Sequence, residues 1–318
     1  MYNNSANMLS WSPEIYHYDS RDGFLSRESN PYFGQPIPAY KAGYRLFTAS
    51  HLPEKITVFG VGQRTQDIYN ADALSEILGK TVITRTFSEI VGREIRRIHQ
   101  VPVFFSPAER EVYQMAMEEF WKMQKNYFAS TGNSRKDALM RLMQQITLLL
   151  RISAAPDTVT EYQGGRPTKI SRVVELTGEF ETEPVAIGVR HKAVLDSYKK
   201  ALEEAFPRRT IFAVTGSTTS FAQRQRLRKT LKESGNGILL CTQQSLPSSV
   251  NFEYVNRIII PEQHYNNAKM SQFYMRFVRY TSTAWKDIYF VTYGGSIESN
   301  LMQMVLAKEK INLFMKGQ

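Results

Sequence analysis

Cysteine is almost absent from this chain of 318 residues. The single one, Cys241, excludes an internal disulfide framework and is typical of a reducing compartment. The five histidines are scattered without the spacing of metal ligands, so no metal site is predicted. No apolar run reaches membrane-spanning length, and the N-terminus lacks the basic-then-apolar pattern of a signal peptide. These absences predict a protein that works in the cytosol, or in the host cytosol if the chain is viral.

Positive charge is what the chain has in excess. Its formal net charge is +10, with 40 lysines and arginines against 30 acidic residues. Such an excess favours a polyanionic partner, with nucleic acid the first expectation and an anionic membrane surface the second. Hydrophobic residues make up 42% of the chain, which allows a substantial core, and the length favours more than one domain.

The sequence changes character twice along its length. It predicts an irregular segment at 1–80, a helical linker at 81–165 and an α/β domain at 166–318. The early residues are dense in Asn, Ser, Tyr, Pro and Gly, which predicts loops. A helix is predicted to begin at Ser106, where a capping serine, Pro107 and Glu109 follow one another, and a second helix runs from about 134 to 150. Gly164 and Gly165 mark the next boundary.

The last region alternates short apolar runs with amphipathic segments. Strands are predicted at 185–189, 210–214, 238–241, 257–260 and 288–292, and helices at 193–206, 222–233, 269–280 and 297–314. This alternation predicts an α/β fold with a parallel, doubly wound sheet. In such a sheet the functional loops gather at the carboxyl ends of the strands.

Small loops rich in hydrogen-bond donors follow the first three predicted strands. Their sequences are Arg190-His191-Lys192, Thr215-Gly216-Ser217-Thr218 and Thr242-Gln243-Gln244-Ser245. Loops of this kind are typical of phosphate binding. The basic helix after the second loop adds positive surface, although a solvated helix face accounts for much of its charge.

A glutamine and two arginines stand out in the segment 272–279. Gln272, Arg276 and Arg279 are spaced by four and then three residues among large apolar side chains. On a helix this spacing puts all three on one face, which predicts a surface that presents two guanidiniums to phosphate. An amphipathic helix on a basic surface gives the same pattern, so both interpretations stay open at this point.

The order of these motifs resembles the second RecA-like lobe of superfamily-two helicases. The likeness is strongest to the SWI/SNF-type double-stranded DNA translocases and their phage relatives. Residues 185–192 resemble motif IV, residues 215–216 with 223–224 the "TG…R" element, residues 239–252 motif V, residues 272–279 motif VI, and residues 296–298 the signature that opens the terminal helix. Five elements in the expected order are far stronger evidence than any one of them.

The resemblance implies roles for these residues. Arg276 and Arg279 would act as arginine fingers on the γ-phosphate of ATP, and Gln272 would position them or couple the cleft to nucleic acid. The nucleic-acid backbone would be contacted by Arg190, His191, Lys192, Thr215, Gly216, Thr242 and Gln243. Such contacts give affinity without sequence readout. The family's preference makes DNA a better candidate than RNA.

The resemblance also implies that the nucleotide is held elsewhere. A phosphate-cradling loop needs a glycine five residues before Gly-Lys-Thr, whereas the Gly-Lys-Thr at 79–81 has Leu74 there. No Asp-Glu pair follows an apolar strand. Residues 1–80 would then be a remnant of a first lobe. ATP with Mg would be bound mainly by a partner chain, or an upstream segment, that carries the rest of that lobe.

Two hypotheses about function therefore remain open. In the first, the chain is the C-terminal half of an ATP-dependent translocase and an ATPase only when a first lobe completes it. In the second, it is a non-catalytic nucleic-acid-binding or architectural protein that keeps a RecA-like lobe as a scaffold. A stand-alone nucleotide or phosphosugar enzyme has little support, because no paired general acid and base and no activated nucleophile can be identified.

Overall fold

The computed structural model describes residues 92–216, 220–246, 251–263, 267–279 and 281–299, all of which belong to one structural unit. The irregular segment predicted at 1–80, including the Gly-Lys-Thr sequence at 79–81, lies outside the described residues. So do Ser217 and Thr218 of the second loop, residues 247–250 of the motif V segment, and the predicted terminal helix from residue 300 onward.

A single parallel sheet forms the centre of the described region. Its strands are β1 (Arg96–Val103), β2 (Val185–Val189), β3 (Ile211–Val214), β4 (Ile238–Thr242), β5 (Arg257–Ile260) and β6 (Lys286–Tyr293). They lie side by side in the order β1-β6-β5-β2-β4-β3. Strands β2 to β6 coincide with the predicted apolar runs, which confirms the α/β fold with a parallel sheet.

Helices cover both faces of this sheet. They are α1 (Pro107–Ala129), α2 (Gly132–Ala154), α3 (Thr168–Gly178), α4 (Lys192–Ala205), α5 (Phe221–Ser234) and α6 (Asn267–Tyr274). Helices α3 and α4 pack on one face and α5 and α6 on the other. Because the central strands are covered on both sides, all five residues of β2 are buried. No helix among the described residues is long and apolar enough to cross a membrane.

Strand β1 is the element that the sequence does not predict. It lies in the region 81–165, which the sequence assigns to a helical linker, yet it pairs with β6 along its full length. Its residues are mostly exposed or half-buried because it is the last strand at one side of the sheet. No apolar run in the sequence therefore predicts it. Its partner strand lies 190 residues away. The predicted domain boundaries near 80 and 165 stay predictions.

The predicted start of the first helix is confirmed. Ser106 caps α1: its side chain accepts a hydrogen bond from the backbone N–H of Glu109 at 3.4 Å, and the Glu109 carboxylate accepts one from the Ser106 N–H. Pro107 occupies the first helical position, where its missing N–H has no partner to lose. Helix α1 then packs against α2, where Gln145 donates to the carbonyl of Ala116 at 2.8 Å.

A buried ion pair ties the start of α3 to the segment that follows β6. Lys169 Nζ lies 2.8 and 2.7 Å from the two carboxylate oxygens of Glu298, and neither side chain is exposed to more than 1%. Lys169 also donates to the carbonyl of Pro261 at 3.1 Å, and Glu298 accepts from the N–H of Tyr293 at 2.9 Å. Burial lowers the pKa of Lys169 and raises the pKa of Glu298, and the charge of each partner opposes that shift.

A second buried carboxylate ties α1 to the same corner. Glu109 accepts hydrogen bonds from the Tyr293 hydroxyl at 2.6 Å and from the N–H of Thr168 at 2.7 Å. Burial acts to raise the pKa of Glu109, but the bonds from Tyr293, Ser106 and Thr168 together hold it below the ordinary value. The carboxylate therefore stays charged at neutral pH and joins three elements that are distant in sequence.

Replacing Lys169 by methionine should strongly destabilise the protein, because Glu298 would keep its carboxylate in the core without a cation. The free energy of unfolding, measured by urea denaturation, should fall by about 3–5 kcal/mol. The matched control is Arg166→Met, which breaks the exposed Arg166–Glu204 pair and should change it by about 0–1 kcal/mol. Equal losses in the two variants would contradict the role given to the buried pair.

Candidate nucleic-acid and phosphate site

The three predicted phosphate-binding loops lie on one edge of the sheet. Strands β2, β4 and β3 are neighbours and run parallel, so their carboxyl ends meet at the same side. Val189 is level with Thr242, and Val214 is level with Cys241. The structure thus brings together the residues Arg190, His191, Lys192, Thr215, Gly216, Thr242 and Gln243. We call this side of the sheet, with these seven residues, the carboxyl edge. Their binding of nucleic acid stays a prediction.

The backbone donors of the first loop are already occupied. One carboxylate oxygen of Glu262 accepts from the N–H of Arg190 at 2.6 Å and from the N–H of His191 at 3.1 Å. The other oxygen bonds to His191 Nδ1. Glu262 is 1% exposed and follows β5, the strand beside β2. A phosphate at this loop would therefore be met by side chains, above all the exposed Lys192, and not by these two amides.

Gln243 has a different position from the one expected. Its side chain is 5% exposed, and its amide nitrogen donates to the carbonyl of Gly188 at 3.1 Å and to that of Glu262 at 2.6 Å. Its backbone N–H donates to Val189 at 2.7 Å. The side chain thus joins the ends of β4, β2 and β5. A direct contact from Gln243 to nucleic acid stays a prediction.

Residues 272–279, which we call the arginine segment, do not form the continuous helix that the spacing of Gln272, Arg276 and Arg279 predicts. Helix α6 ends at Tyr274, so Gln272 lies on the helix whereas Arg276 and Arg279 follow it. The N–H of Arg276 bonds to the Phe273 carbonyl three residues back, and the Arg276 carbonyl accepts from Phe252. This bond to a distant loop, with the burial of the apolar residues that follow, stops the helix from continuing. The prediction of one helical face for all three polar residues is wrong.

The two arginines nevertheless lie close together. Burial and then the charge of Arg279 lower the pKa of Arg276 below its ordinary value. The Nε of Arg279 is buried and makes no hydrogen bond within the described part of the chain. The backbone of Arg279 is fixed through Ser282, whose hydroxyl accepts from its N–H at 3.1 Å. Two neighbouring guanidiniums on a fixed backbone form a site that an anion would stabilise.

Gly188, on β2, lets a ring of the arginine segment pack against the backbone close to the carboxyl edge. A Cβ atom at Gly188 would stand 2.3 Å from Cζ of Phe273, which is far inside van der Waals contact. Phe273 is 1% exposed and packs edge-on against Phe277. The ring of Phe273 therefore rests directly on the β2 backbone, one residue before that strand ends. Only glycine leaves room for this approach.

Sequence reasoning misses Glu262 and Gly188 for related reasons. Each acts on a residue more than 70 positions away, and no local pattern marks such a contact. One signal was available for Glu262. It follows the fourth predicted strand, and the carboxyl end of that strand lies on the same edge as the three donor-rich loops.

Solved structures of ATPase domains are similar to this fold. The C-terminal part of the Fun30 ATPase domain matches with a TM-score of 0.53 and 14% identity, covering 70% of this chain and 98% of that one. The C-terminal domain of the Sulfolobus solfataricus SWI2/SNF2 ATPase matches with 0.53 and 17%, covering 67% and 86%. These likenesses confirm the α/β RecA-like fold.

The chain also matches part of a larger solved structure. The Sulfolobus solfataricus SWI2/SNF2 ATPase core in complex with dsDNA matches with a TM-score of 0.55 and 17% identity, covering 86% of this chain and 55% of that one. This chain therefore spans about half of that core. No protein-family model and no curated protein sequence matches the chain. At these identities the likeness establishes the fold, and function has to be argued from the site.

Replacing Gly188 by alanine should displace Phe273 and lower the free energy of unfolding by about 1–3 kcal/mol, measured by urea denaturation. Leucine at position 273 is smaller than phenylalanine and should relieve the clash. The double variant Gly188→Ala, Phe273→Leu should therefore lose less free energy of unfolding than the sum of the losses in the two single variants. Gly165→Ala is the control, because a Cβ there meets nothing within 4 Å. Strict additivity would show that Phe273 does not rest on Gly188.

Proposed function

We propose that this chain is the C-terminal half of an ATP-dependent, helicase-like translocase on double-stranded DNA. In this proposal the carboxyl edge binds the DNA backbone and the arginine segment serves an ATP site that a first lobe completes. The single observation that carries the proposal is the common edge formed by the three donor-rich loops, on a fold shared with SWI/SNF-type C-terminal lobes. The link to phage translocases is part of the proposal and rests on motif order alone.

Charge and chemistry at the carboxyl edge support DNA as the ligand. Lys192 is exposed, and Arg190 and Thr242 are half-buried, so they place cationic and neutral donors at the ends of two adjacent strands, whereas Thr215 is 8% exposed. Such donors suit a run of phosphates and provide no base readout. The net charge of +10 favours the same partner. The Sulfolobus core with this fold is bound to dsDNA, which favours DNA over RNA here.

The arginine segment fits the phosphate end of a nucleotide. Arg276 and Arg279 are half-buried and carry like charges side by side, and the Nε of Arg279 lacks a hydrogen-bond partner among the described residues. Phosphate oxygens would accept a hydrogen bond from the Nε of Arg279 and would offset the repulsion between the two like charges. We propose that the two guanidiniums stabilise charge on the γ-phosphate, and that the exposed Gln272 contacts the nucleotide or the first lobe.

The magnesium ion belongs to the other half of the site. No cluster of three or more His, Cys, Asp or Glu side chains suited to a metal occurs among the described residues. Magnesium at a nucleotide is usually bound by one or two carboxylates together with the substrate phosphates. We therefore propose that a first lobe, in a partner chain or upstream, supplies the phosphate loop and the acidic pair.

Removing two cations from the carboxyl edge should weaken DNA binding in a salt-dependent way. For Arg190→Ala with Lys192→Ala, the slope of log K against log [salt] should become shallower by about 2, because each phosphate contact contributes about 0.9. Fluorescence anisotropy with a short duplex at several salt concentrations measures this slope. The control, Lys199→Ala with Lys200→Ala, removes the same charge further along α4 and should leave the slope nearly unchanged. Equal effects would contradict a binding role for the carboxyl edge.

The purified chain alone should hydrolyse ATP negligibly, since its sequence has no phosphate loop. With a first lobe added in trans, DNA-stimulated hydrolysis should appear, and Arg276→Ala should lower its rate by about 10³-fold or more. Arg226→Ala, an exposed arginine on α5, is the control and should leave the rate unchanged. Robust hydrolysis by the isolated chain would contradict the proposal. DNA binding without hydrolysis in any combination would favour the non-catalytic, architectural alternative.

A further inference from the structure

We propose that Glu262 is a positioning residue that holds the loop 190–192 in the conformation that meets the DNA backbone. The inference rests on the proposed function of the carboxyl edge and extends it to a residue outside every predicted motif. Glu262 touches neither nucleic acid nor nucleotide in this proposal. It fixes the backbone at Arg190 and His191, and so acts through the side chains of Arg190 and of the adjacent Lys192.

The carboxylate of Glu262 holds the junction between β2 and α4. His191 is the N-cap residue of α4, and its own side chain makes no capping hydrogen bond. From a neighbouring strand, Glu262 accepts from the N–H of His191 and from the N–H of Arg190, the residue before it. A negative charge beside the N-terminus of a helix is also favourable. The direction in which the helix and its preceding loop leave β2 therefore depends on this carboxylate.

Glu262 is itself held rigidly by buried hydrogen bonds. Its side chain is 1% exposed, and its own carbonyl accepts from Gln243 Nε2 at 2.6 Å. The carbonyl of the preceding residue, Pro261, accepts from the buried Lys169 at 3.1 Å. Two bonds therefore fix the backbone at this position, and the carboxylate can act as a rigid anchor for a loop of another strand.

Glu262 also lies beside the cations of this loop. Arg190 and Lys192 are two residues apart, and like charges so close repel one another. One buried carboxylate beside them offsets part of this repulsion, while its bonds leave the exposed ammonium of Lys192 available to solvent. A carboxylate that merely repelled DNA would weaken binding at this edge. One that orders the loop strengthens binding, and these two roles predict opposite results.

Alanine and glutamine at position 262 separate the two roles. Glu262→Ala removes the acceptor, so the loop loses its anchor and affinity for duplex DNA should fall by about tenfold, with a salt slope shallower by about 1 to 2. Glu262→Gln keeps an oxygen for the two amides, and its NH₂ group can face His191 Nδ1 in the other tautomer. Its affinity should stay within about twofold of the wild-type value. Tighter binding by both variants would overturn the proposal.

A cycle with the loop cations shows whether Glu262 acts through them. In the Arg190→Ala, Lys192→Ala background, Glu262→Ala should cause no further loss of DNA affinity, whereas an equal further loss would contradict the proposal. Asp287→Asn is the structural control, since Asp287 is a 2% exposed carboxylate that pairs with Arg97 and Arg257 at the opposite edge. Urea denaturation checks the fold of each variant, and Asp287→Asn should lower stability without changing the salt slope.

The same measurements distinguish a failure of the positioning role from a failure of the proposed function on which it rests. If the loop variant Arg190→Ala, Lys192→Ala weakens DNA binding but Glu262→Ala does not, the positioning role is wrong and the proposed function stands. If neither change alters the affinity or the salt slope, the carboxyl edge does not bind DNA and both proposals fail.

Discussion

The buried ion pair between Lys169 and Glu298 is the contact on which the carboxyl edge depends. Two charges without solvent are stable only together, so the start of α3 and the segment after β6 are fixed to each other. Lys169 also holds the carbonyl that precedes Glu262. From there, polar bonds cross the edge in the order of the strands: Glu262 to the end of β2, Gln243 from β4 to β2 and β5, and Ser245 from β4 to β3.

This arrangement follows from the nature of a parallel sheet. Apolar packing holds the strands, but it is non-directional and does not fix the short loops beyond them. Hydrogen bonds are directional, and here buried side chains use them to order loops that carry cations. Gly188 and Phe273 extend the same order to the arginine segment, because the ring rests on the backbone of β2. In our proposal a shift at the DNA edge is thus mechanically linked to the residues that face ATP.

The sequence predicts what depends on local pattern and misses what depends on distant partners. Apolar runs locate β2 to β6, and the capping residues locate the start of α1, since both signals lie within a few residues. The sequence does not predict strand β1, because an edge strand needs little apolar surface and its partner lies far along the chain. It does not predict the end of α6, because a tertiary hydrogen bond from Phe252 to Arg276 stops the helix. It does not predict the role of Glu262, because that role exists only once β5 lies beside β2.

Hydrogen–deuterium exchange with and without duplex DNA tests the central claim, that the carboxyl edge faces the DNA backbone, most directly. The account predicts that DNA slows exchange in peptides that cover residues 190–196, 214–216 and 242–246. Peptides at the opposite edge, around Arg97 and Asp287, should exchange at the same rate in both samples. Protection confined to that opposite edge, with the three loops unaffected, would contradict the account.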